Sequence, residues 1–404
     1  MKPLRNITVV DLSKVLAGPL CGQYLGDLGA DVIKIEPVDG GDDTRGWLPQ
    51  REKQSGLFLA VNHNKRSLAV DLKSDEGRAI VHALVAKADV VLQGFGGGTA
   101  QRLGVDYETV SKLNPNLIYC EISGYGRSGP LGDSPGYDVM LQAFSGMIST
   151  MGEPGGNVTR ASFSPVDIGT GLHAVSGVLA ALLERSQTGR GSYVEVTLLD
   201  TSLSLMGYLA QGYWLTGKIP QRMGSAHPSL APYQAFSAAD GELMIGVGND
   251  AQWRRLCAVM DMEPRATDPA FATNEARVEN FDATAALVED KVKQRPVAAW
   301  LEALSAAGIP SAPIHTVDQA LAHPQVAERG LIVETDHALL GPLPRIGYPV
   351  AFNGEPRGTR SAPPLLGEHS ADILAGLGYG AEAIDDLATR GIVKLAASPA
   401  RPVG

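Results

Sequence analysis

The alternation in the first 125 residues constrains this chain most: short, nearly continuous apolar runs take turns with helix-length amphipathic stretches. Ile7-Thr-Val-Val-Asp11 reads as a buried strand. Residues 19–28 read as a helix, with Pro19 in the first turn, where a missing N–H costs nothing. Asp31-Val-Ile-Lys-Ile-Glu36 is a second strand. A helix over 74–88 has a marked start: Ser74 as N-cap, then Asp75 and Glu76 at the positive end of the helix dipole. Asp89-Val-Val-Leu92 and Leu117-Ile-Tyr-Cys-Glu-Ile122 are further strands. Strands separated by helices require crossovers, which build a parallel sheet with helices on its faces, an α/β fold of Rossmann-like type. Ligands of such sheets gather beyond the carboxyl ends of the strands.

Beyond residue 125 the pattern loosens. Two Gly/Pro/Ser stretches, 124–136 and 152–164, bracket a helix over 137–150, and a long helix rich in small residues opens near Asp167. A strand over 192–199 and a helix over 201–216 follow. From about 220 to 320 short strands, such as 243–247, mix with amphipathic helices over 285–293 and 297–307. The expected organisation is therefore a large domain over 1–215, a smaller α+β domain over 216–324, and a segment over 325–404 that returns to the large domain.

Charge and cysteine usage narrow the function classes. With 34 Lys+Arg against 44 Asp+Glu, the net charge of −10 argues against a nucleic-acid protein, though not against one small anion held by local cations. Three cysteines, at 21, 120 and 257, form no CxxC pair or disulfide framework, as in a reduced cytoplasmic protein. Lys2 and Arg5 precede a strand-like run with no apolar leader. The most apolar stretch, 169–183, is short and broken by His173, so it reads as a buried helix with no membrane role. There is no GxxxxGK[ST], GxSxG or HExxH, and the eight histidines lack metal-ligand spacing, so no metal site is expected.

Two readings of the N-terminal half compete. Ala17-Gly-Pro-Leu-Cys-Gly22 after the first strand, with Glu36 ending the second, suggests a dinucleotide fold and an NAD(P)-dependent oxidoreductase. Against it, Ala17 stands at the first glycine position and Pro19 at the second, where pyrophosphate needs a close backbone approach. Asp167, in Ser162-Phe-Ser-Pro-Val-Asp-Ile-Gly-Thr-Gly171, is the stronger lead. It reads as an ordinary helix N-cap, or as a carboxylate held anionic at a helix N-terminus and usable as a covalent nucleophile. On the second reading, Gly169 and Gly171 make room for a ligand, and backbone N–H groups near Gly169 face developing oxyanions.

Several motifs sharpen that choice: Leu12-Ser-Lys-Val-Leu-Ala-Gly-Pro19, Gly26-Asp-Leu-Gly-Ala-Asp-Val-Ile-Lys-Ile-Glu-Pro37, Gly41-Asp-Asp-Thr-Arg45, Asn64-Lys-Arg-Ser67, Pro165-Val-Asp-Ile168, Thr188-Gly-Arg-Gly191 and Pro363-Pro-Leu-Leu-Gly-Glu-His369. In order and across essentially the whole chain, they resemble the class III CoA-transferases, the formyl-CoA and carnitine CoA-transferase family. Arg222-Met-Gly-Ser-Ala-His-Pro228 and Pro232-Tyr-Gln-Ala-Phe236 look most like the succinyl-CoA:dicarboxylate (glutarate-type) branch.

The resemblance implies CoA transfer from an acyl-CoA, such as succinyl-CoA, to a dicarboxylic acid through an aspartyl-CoA thioester on Asp167. It also implies an interlocked homodimer, with acyl-CoA as substrate and no permanently bound cofactor. By the same resemblance Val15, Val70, Leu72, Lys73, Phe95, Arg102, Leu103 and Tyr137 line the CoA site. Arg45, Trp47, Tyr137, Asp138, Gly169 and His227 serve the substrate, with Arg45 and His227 facing a distal carboxylate.

Departures from the formyl-CoA pattern are Pro37 in place of an arginine, Gly94 for an asparagine, and Leu16 and Phe58 for an active-site glutamine and tyrosine. A long glycine-rich flap is absent as well. These losses argue against formate or oxalate as substrate. The α-methylacyl-CoA racemase branch needs a second proton-transfer group where Tyr137 stands, and a tyrosine hydroxyl, which ordinarily titrates at about 10, is a poor base near neutrality. Outside catalysis, the remaining alternative is a CoA-binding module that has lost activity.

Overall fold

A computed structural model describes residues 2–132, 134–355 and 360–396. The chain divides into two compact units. The first holds 1–147, 161–211 and 324–404; the second holds 148–160 and 212–323. The second unit thus begins at 212 and recruits 148–160, a glycine-rich stretch expected from the sequence to belong to the large domain. Residues 397–404 of the returning C-terminal segment lie outside the described residues.

In chain order the elements used below are β1 (Thr8–Asp11), α1 (Ala17–Asp27), β2 (Asp31–Glu36), β3 (Lys65–Val70), α2 (Asp75–Val85), β4 (Val90–Gln93), α3 (Tyr107–Leu113), β5 (Ile118–Ser123), α4 (Asp138–Phe144), α5 (Pro165–Thr188), β6 (Ser192–Thr197), α6 (Leu198–Leu205) and α7 (Gly207–Thr216). They continue with β7 (Tyr233–Ser237), β8 (Glu242–Gly246), α8 (Asp250–Val259), α9 (Phe281–Val292), α10 (Val297–Ala306), β9 (Ser311–Pro313), β10 (Ile332–His337), β11 (Gly341–Ile346), α11 (Ser370–Gly376), α12 (Ala381–Thr389) and β12 (Val393–Lys394).

The first unit is built on a seven-stranded sheet in the order β12-β3-β2-β1-β4-β5-β6. Its pairs are parallel from β3 to β6, for example Val9 against Val32 on one side and Val90 on the other. The returning segment adds β12 as an antiparallel edge, with Val393 opposite Val70. The chain moves from β1 to β2 on one side and later places β4 on the other, so β1 and β4 flank a topological switch point.

Apolar strand residues such as Val10, Ile33, Leu68 and Val91 form the core with Ile80, Val81 and Leu84 of α2 and Ile373 and Leu374 of α11. Helix α2 starts where expected, because the Ser74 hydroxyl accepts from Gly77 N–H at 3.0 Å. The expected helix over 137–150 is shorter, ending at Phe144, with a separate 3-10 turn over Ile148–Thr150. That over 201–216 is two helices that part at Met206.

Helix α5 is the single described helix long and apolar enough to cross a membrane by length and composition. Val166, Ala174, Val175, Val178 and Ala181 of this helix are buried within the fold. The second unit carries a three-stranded antiparallel sheet, β9-β8-β7, over a core that includes Trp253, Val288 and Trp300. Cys21, Cys120 and Cys257 are all free and buried.

Candidate active site

The loops that leave β4 and β5 are rich in glycine, and with the loop after β1 they stand at the carboxyl ends of their strands. They surround a cavity of about 410 Å³. Its wall includes Ser13 to Gly18 after β1, Gly94 to Gly97 after β4, and Ser123 and Gly124 after β5, joined by Arg127, Gly136, Tyr137 and Asp167. A cavity at the carboxyl ends of strands beside the switch point is where a parallel sheet offers a ligand site.

Asp167 enters this cavity from the third residue of α5. It is therefore not the cap of that helix, the simpler of the two roles its sequence context allows. The N-cap is Ser164, whose left-handed backbone (φ 55°) makes no side-chain cap bond, and Pro165 occupies the first position. The capping is done from another element. Asp138, buried in the first turn of α4, accepts the N–H of Val166 at 2.8 Å and of Asp167 at 3.0 Å through one oxygen. Its other oxygen accepts from the Gln142 side chain, whose own carbonyl takes Ala161 N–H at 2.9 Å.

Two like charges thus meet at the head of α5. Burial, with the Asp138 carboxylate as the lesser cause, pushes the Asp167 carboxyl up to about 7. The expectation of a carboxylate held firmly anionic by the helix dipole gives way, because desolvation and a like-charged neighbour outweigh a dipole worth roughly 0.3–1 kcal/mol. Ile168 N–H is taken by Ser164 carbonyl at 3.1 Å. With Val166 and Asp167 N–H held by Asp138, these first-turn donors are committed within the protein. Oxyanion contacts near Gly169 are not available from them.

Gly169 and Gly171 also have a different role from the one expected. A Cβ on Gly169 would lie 2.9 Å from Thr201 Cγ2 of α6, and one on Gly171 would lie 2.8 Å from the Ala17 carbonyl of α1. Both glycines let neighbouring helices close on α5; they do not clear space for a ligand.

Of the other residues singled out from the sequence, Val15, Phe95 and Tyr137 line the Asp167 cavity, and Tyr137 is 61% exposed there. Asp138 acts from behind, through the helix head. Val70 is buried in β3, and Leu72, Phe95 and Leu103 pack on the main core. Lys73 and Arg102 are exposed cations away from this wall, Arg102 donating to Thr99 Oγ1 at 2.7 Å. Trp47 is partly exposed after a short 3-10 turn.

Arg45 is committed elsewhere. It grips Glu36 in a fork at 2.6 and 2.8 Å, donates to the Pro364 carbonyl at 3.2 and 3.1 Å, and stacks 3.7 Å over the Phe58 ring. His227 belongs to the second unit, where its Nδ1 accepts Ser229 N–H at 3.1 Å and its ring lies beside Tyr233.

Two cations in the cavity wall, Lys14 and Arg127, are not among the residues singled out from the sequence. Arg127 is bound to Glu121 and donates to the Phe95 carbonyl at 2.7 Å, while Lys14 faces Asp43 at 3.6 Å. Both sit in loops that follow strand ends, and that position is the signal by which they could have been found. Among the described residues no group of three His, Cys, Asp or Glu side chains is arranged to hold a metal ion.

Comparison with known proteins agrees with this architecture. The succinate–glutarate CoA-transferase of Agrobacterium fabrum is 38% identical over 382 residues, covering 93% of this chain and 96% of its own length. An acetyl-CoA:oxalate CoA-transferase of Acetobacter aceti is 38% identical over 366 residues, covering 90% and 93%. The crystal structure of a CAIB/BAIF family protein from Brucella suis matches with a TM-score of 0.83 at 40% identity, covering 93% of this chain and 99% of that one. The pattern of CoA-transferase family III matches residues 4–370, and the chain belongs to that family of CoA-transferases.

Proposed function

We propose that this enzyme moves CoA from succinyl-CoA or a similar acyl-CoA to a dicarboxylic acid, with Asp167 as the covalent nucleophile. The observation that carries the reading is the placement of Asp167: a poorly solvated carboxylate, beside a second carboxylate, in the wall of the strand-end cavity. A carboxyl poised near 7 is partly ionised at neutral pH and weakly stabilised as an anion, which favours attack.

In the forward direction an Asp167 oxygen attacks the thioester carbonyl and the CoA thiolate leaves, giving a mixed anhydride. The thiolate attacks the Asp167 carbonyl, the donor acid departs, and an aspartyl thioester remains. The acceptor carboxylate then attacks that thioester and releases the thiolate. Attack of the thiolate on the acceptor's acyl carbon forms the new acyl-CoA and restores Asp167. The glycine-rich wall at 94–97 permits close backbone approach by CoA, and Lys73 and Arg102 supply exposed positive charge for its phosphates.

A dicarboxylate acceptor is supported by the relative named for succinate and glutarate, and Lys14 offers the cavity a cation for the second carboxylate. The racemase alternative is disfavoured by Tyr137, which stands where a second base is needed. A homodimer is supported by apolar surface left open: α7 buries none of its residues, and Trp214 and Leu215 are 71% and 76% exposed. A cytoplasmic location is supported by the three free cysteines.

Incubation with succinyl-CoA and a panel of acids, followed by hydroxylamine trapping and mass analysis, tests the reading. Hydroxamate should form on Asp167, and Asp167→Ala should lose at least about 10⁴-fold in rate. Undiminished transfer by Asp167→Ala would end the mechanism. Deuterium exchange at the α-carbon of a branched acyl-CoA with no acceptor acid would favour a racemase.

A further inference from the structure

We infer that the fully buried Lys34–Asp42 pair is a positioning device that holds the Ser13–Leu16 loop against the Asp167 cavity. The inference rests on the reading of that cavity as the transfer site. It concerns residues that make no contact with the reacting groups.

Four observations converge on the loop. Val15 lines the cavity with a left-handed backbone, φ 70°, a conformation that a β-branched residue avoids unless its surroundings impose it. Its N–H donates to Asp42 Oδ1 at 3.3 Å, and Lys34 Nζ donates to the Ser13 carbonyl at 2.9 Å, so both ends of the turn are tied down. Lys34 and Asp42 form an ion pair at 2.9 Å, and both side chains are wholly buried.

The pair is in turn fixed from outside. Asp42 Oδ1 accepts from Thr44 N–H at 3.0 Å and from its hydroxyl at 2.8 Å, and Asp42 N–H donates to Glu36 at 3.1 Å. Ser13 N–H binds Asp11 at 3.0 Å, and Asp11 is paired with buried Lys65 at 2.9 Å.

A buried ion pair is weak evidence for stability, since hydrophobic replacement is often neutral or better. What this one supplies is a fixed address for the loop. It ties strand β2 and the Asp42–Thr44 turn to the strained Val15, which lines the same cavity as Asp167. A loop released from both tethers lets Val15 relax toward extended backbone and moves the cavity wall. Misplacement by about 1 Å at such a site costs on the order of 10²-fold in rate.

The test uses Lys34→Met/Asp42→Asn, which removes both charges together and so strands neither, and Asp42→Asn alone, which keeps the Lys34 tie to the Ser13 carbonyl but leaves the Lys34 charge without its partner. Rates are expressed per CoA-binding site, counted by titration with CoA, so that unfolded protein does not enter. Val81→Ala, in the core under α2, serves as a control for lost stability.

The expected result is a fall in kcat per site of about 10- to 100-fold in the double variant, with a KM for acyl-CoA within threefold of the parent. Asp42→Asn alone should lose less kcat per site while melting earlier than the double variant, and Val81→Ala should melt earlier with kcat unchanged. A double variant with kcat per site within twofold of the parent would overturn the inference. So would loss of CoA sites and total rate in equal proportion, in both variants. Asp167→Ala, assayed alongside, separates the two readings: undiminished transfer there removes the covalent mechanism, while the tether is judged on the ratio of variant to parent.

Discussion

Under the Ser13–Leu16 loop, Lys34 faces Asp42 and Lys65 faces Asp11, each at 2.9 Å and each out of water. At the head of α5, two carboxylates, Asp138 and Asp167, face one another with burial as the main influence on Asp167. The first group joins opposite charges and satisfies them with backbone partners, so its members hold geometry. In the second, Asp167 has no cation to offset its burial and a like-charged neighbour besides, so its carboxyl is pushed out of its ordinary range. Burial is common to both. What separates them is the partner: each buried charge of the first group has an opposite charge beside it, and Asp167 has a second carboxylate.

The sharpest way to break this contrast is to make the first group resemble the second. Lys65→Met leaves Asp11 buried without its cation and should cost about 3–5 kcal/mol of stability in urea titration. The double variant with Asp11→Asn should recover most of that loss.

Removing charge from the second group should act in the opposite direction. A folded-state pKa raised from 3.8 to about 7 means that ionising Asp167 opposes folding. The penalty is absent below the unfolded value near 4, grows as pH rises, and is complete above about 7. Asp167→Asn should therefore gain on the order of 4 kcal/mol at pH 8 and little at pH 4, measured by thermal melts across pH. The parent's kcat/KM should rise with pH through about 7. Asp138→Asn should move that limb downward while leaving it above the ordinary aspartate range, because desolvation is the larger cause.

Smaller effects separate structure from recognition in the remaining cations. Arg45→Lys breaks the fork on Glu36 and should cost about 1–2 kcal/mol of stability with the ratio of rates on different acceptor acids unchanged. A change in acid preference would instead restore a substrate role to Arg45. Lys73→Ala and Arg102→Ala, being exposed, should leave melting within about 0.5 kcal/mol of the parent and raise KM for acyl-CoA a few-fold, more at low salt.

The alternation of strands and helices was legible because burial on both faces of a parallel sheet imposes continuous apolar runs such as Val9-Val10 and Val90-Val91-Leu92. Ser74 was legible as a cap because its contact is local: its partner, Gly77, is three residues away. Asp167 could be singled out from its setting of proline and glycine and from the resemblance. Its cap could not, because Asp138 reaches α5 from 29 residues earlier in the chain. Gly169 and Gly171 were visible as small residues, but what each is small for depends on Thr201 and Ala17.

By itself the sequence determined the α/β class, the family, and the carboxylate on which the chemistry is proposed to turn, since these rest on periodicity and on ordered local motifs. Tertiary structure alone decided the upward shift of that carboxyl, the commitment of Arg45 to Glu36, and the union of Lys34 with Asp42 beneath the strained Val15 turn. The physical reason is range. Hydrophobic pattern and capping act between near neighbours in the chain, whereas desolvation and Coulomb interaction depend on which distant residues the fold brings within a few ångströms.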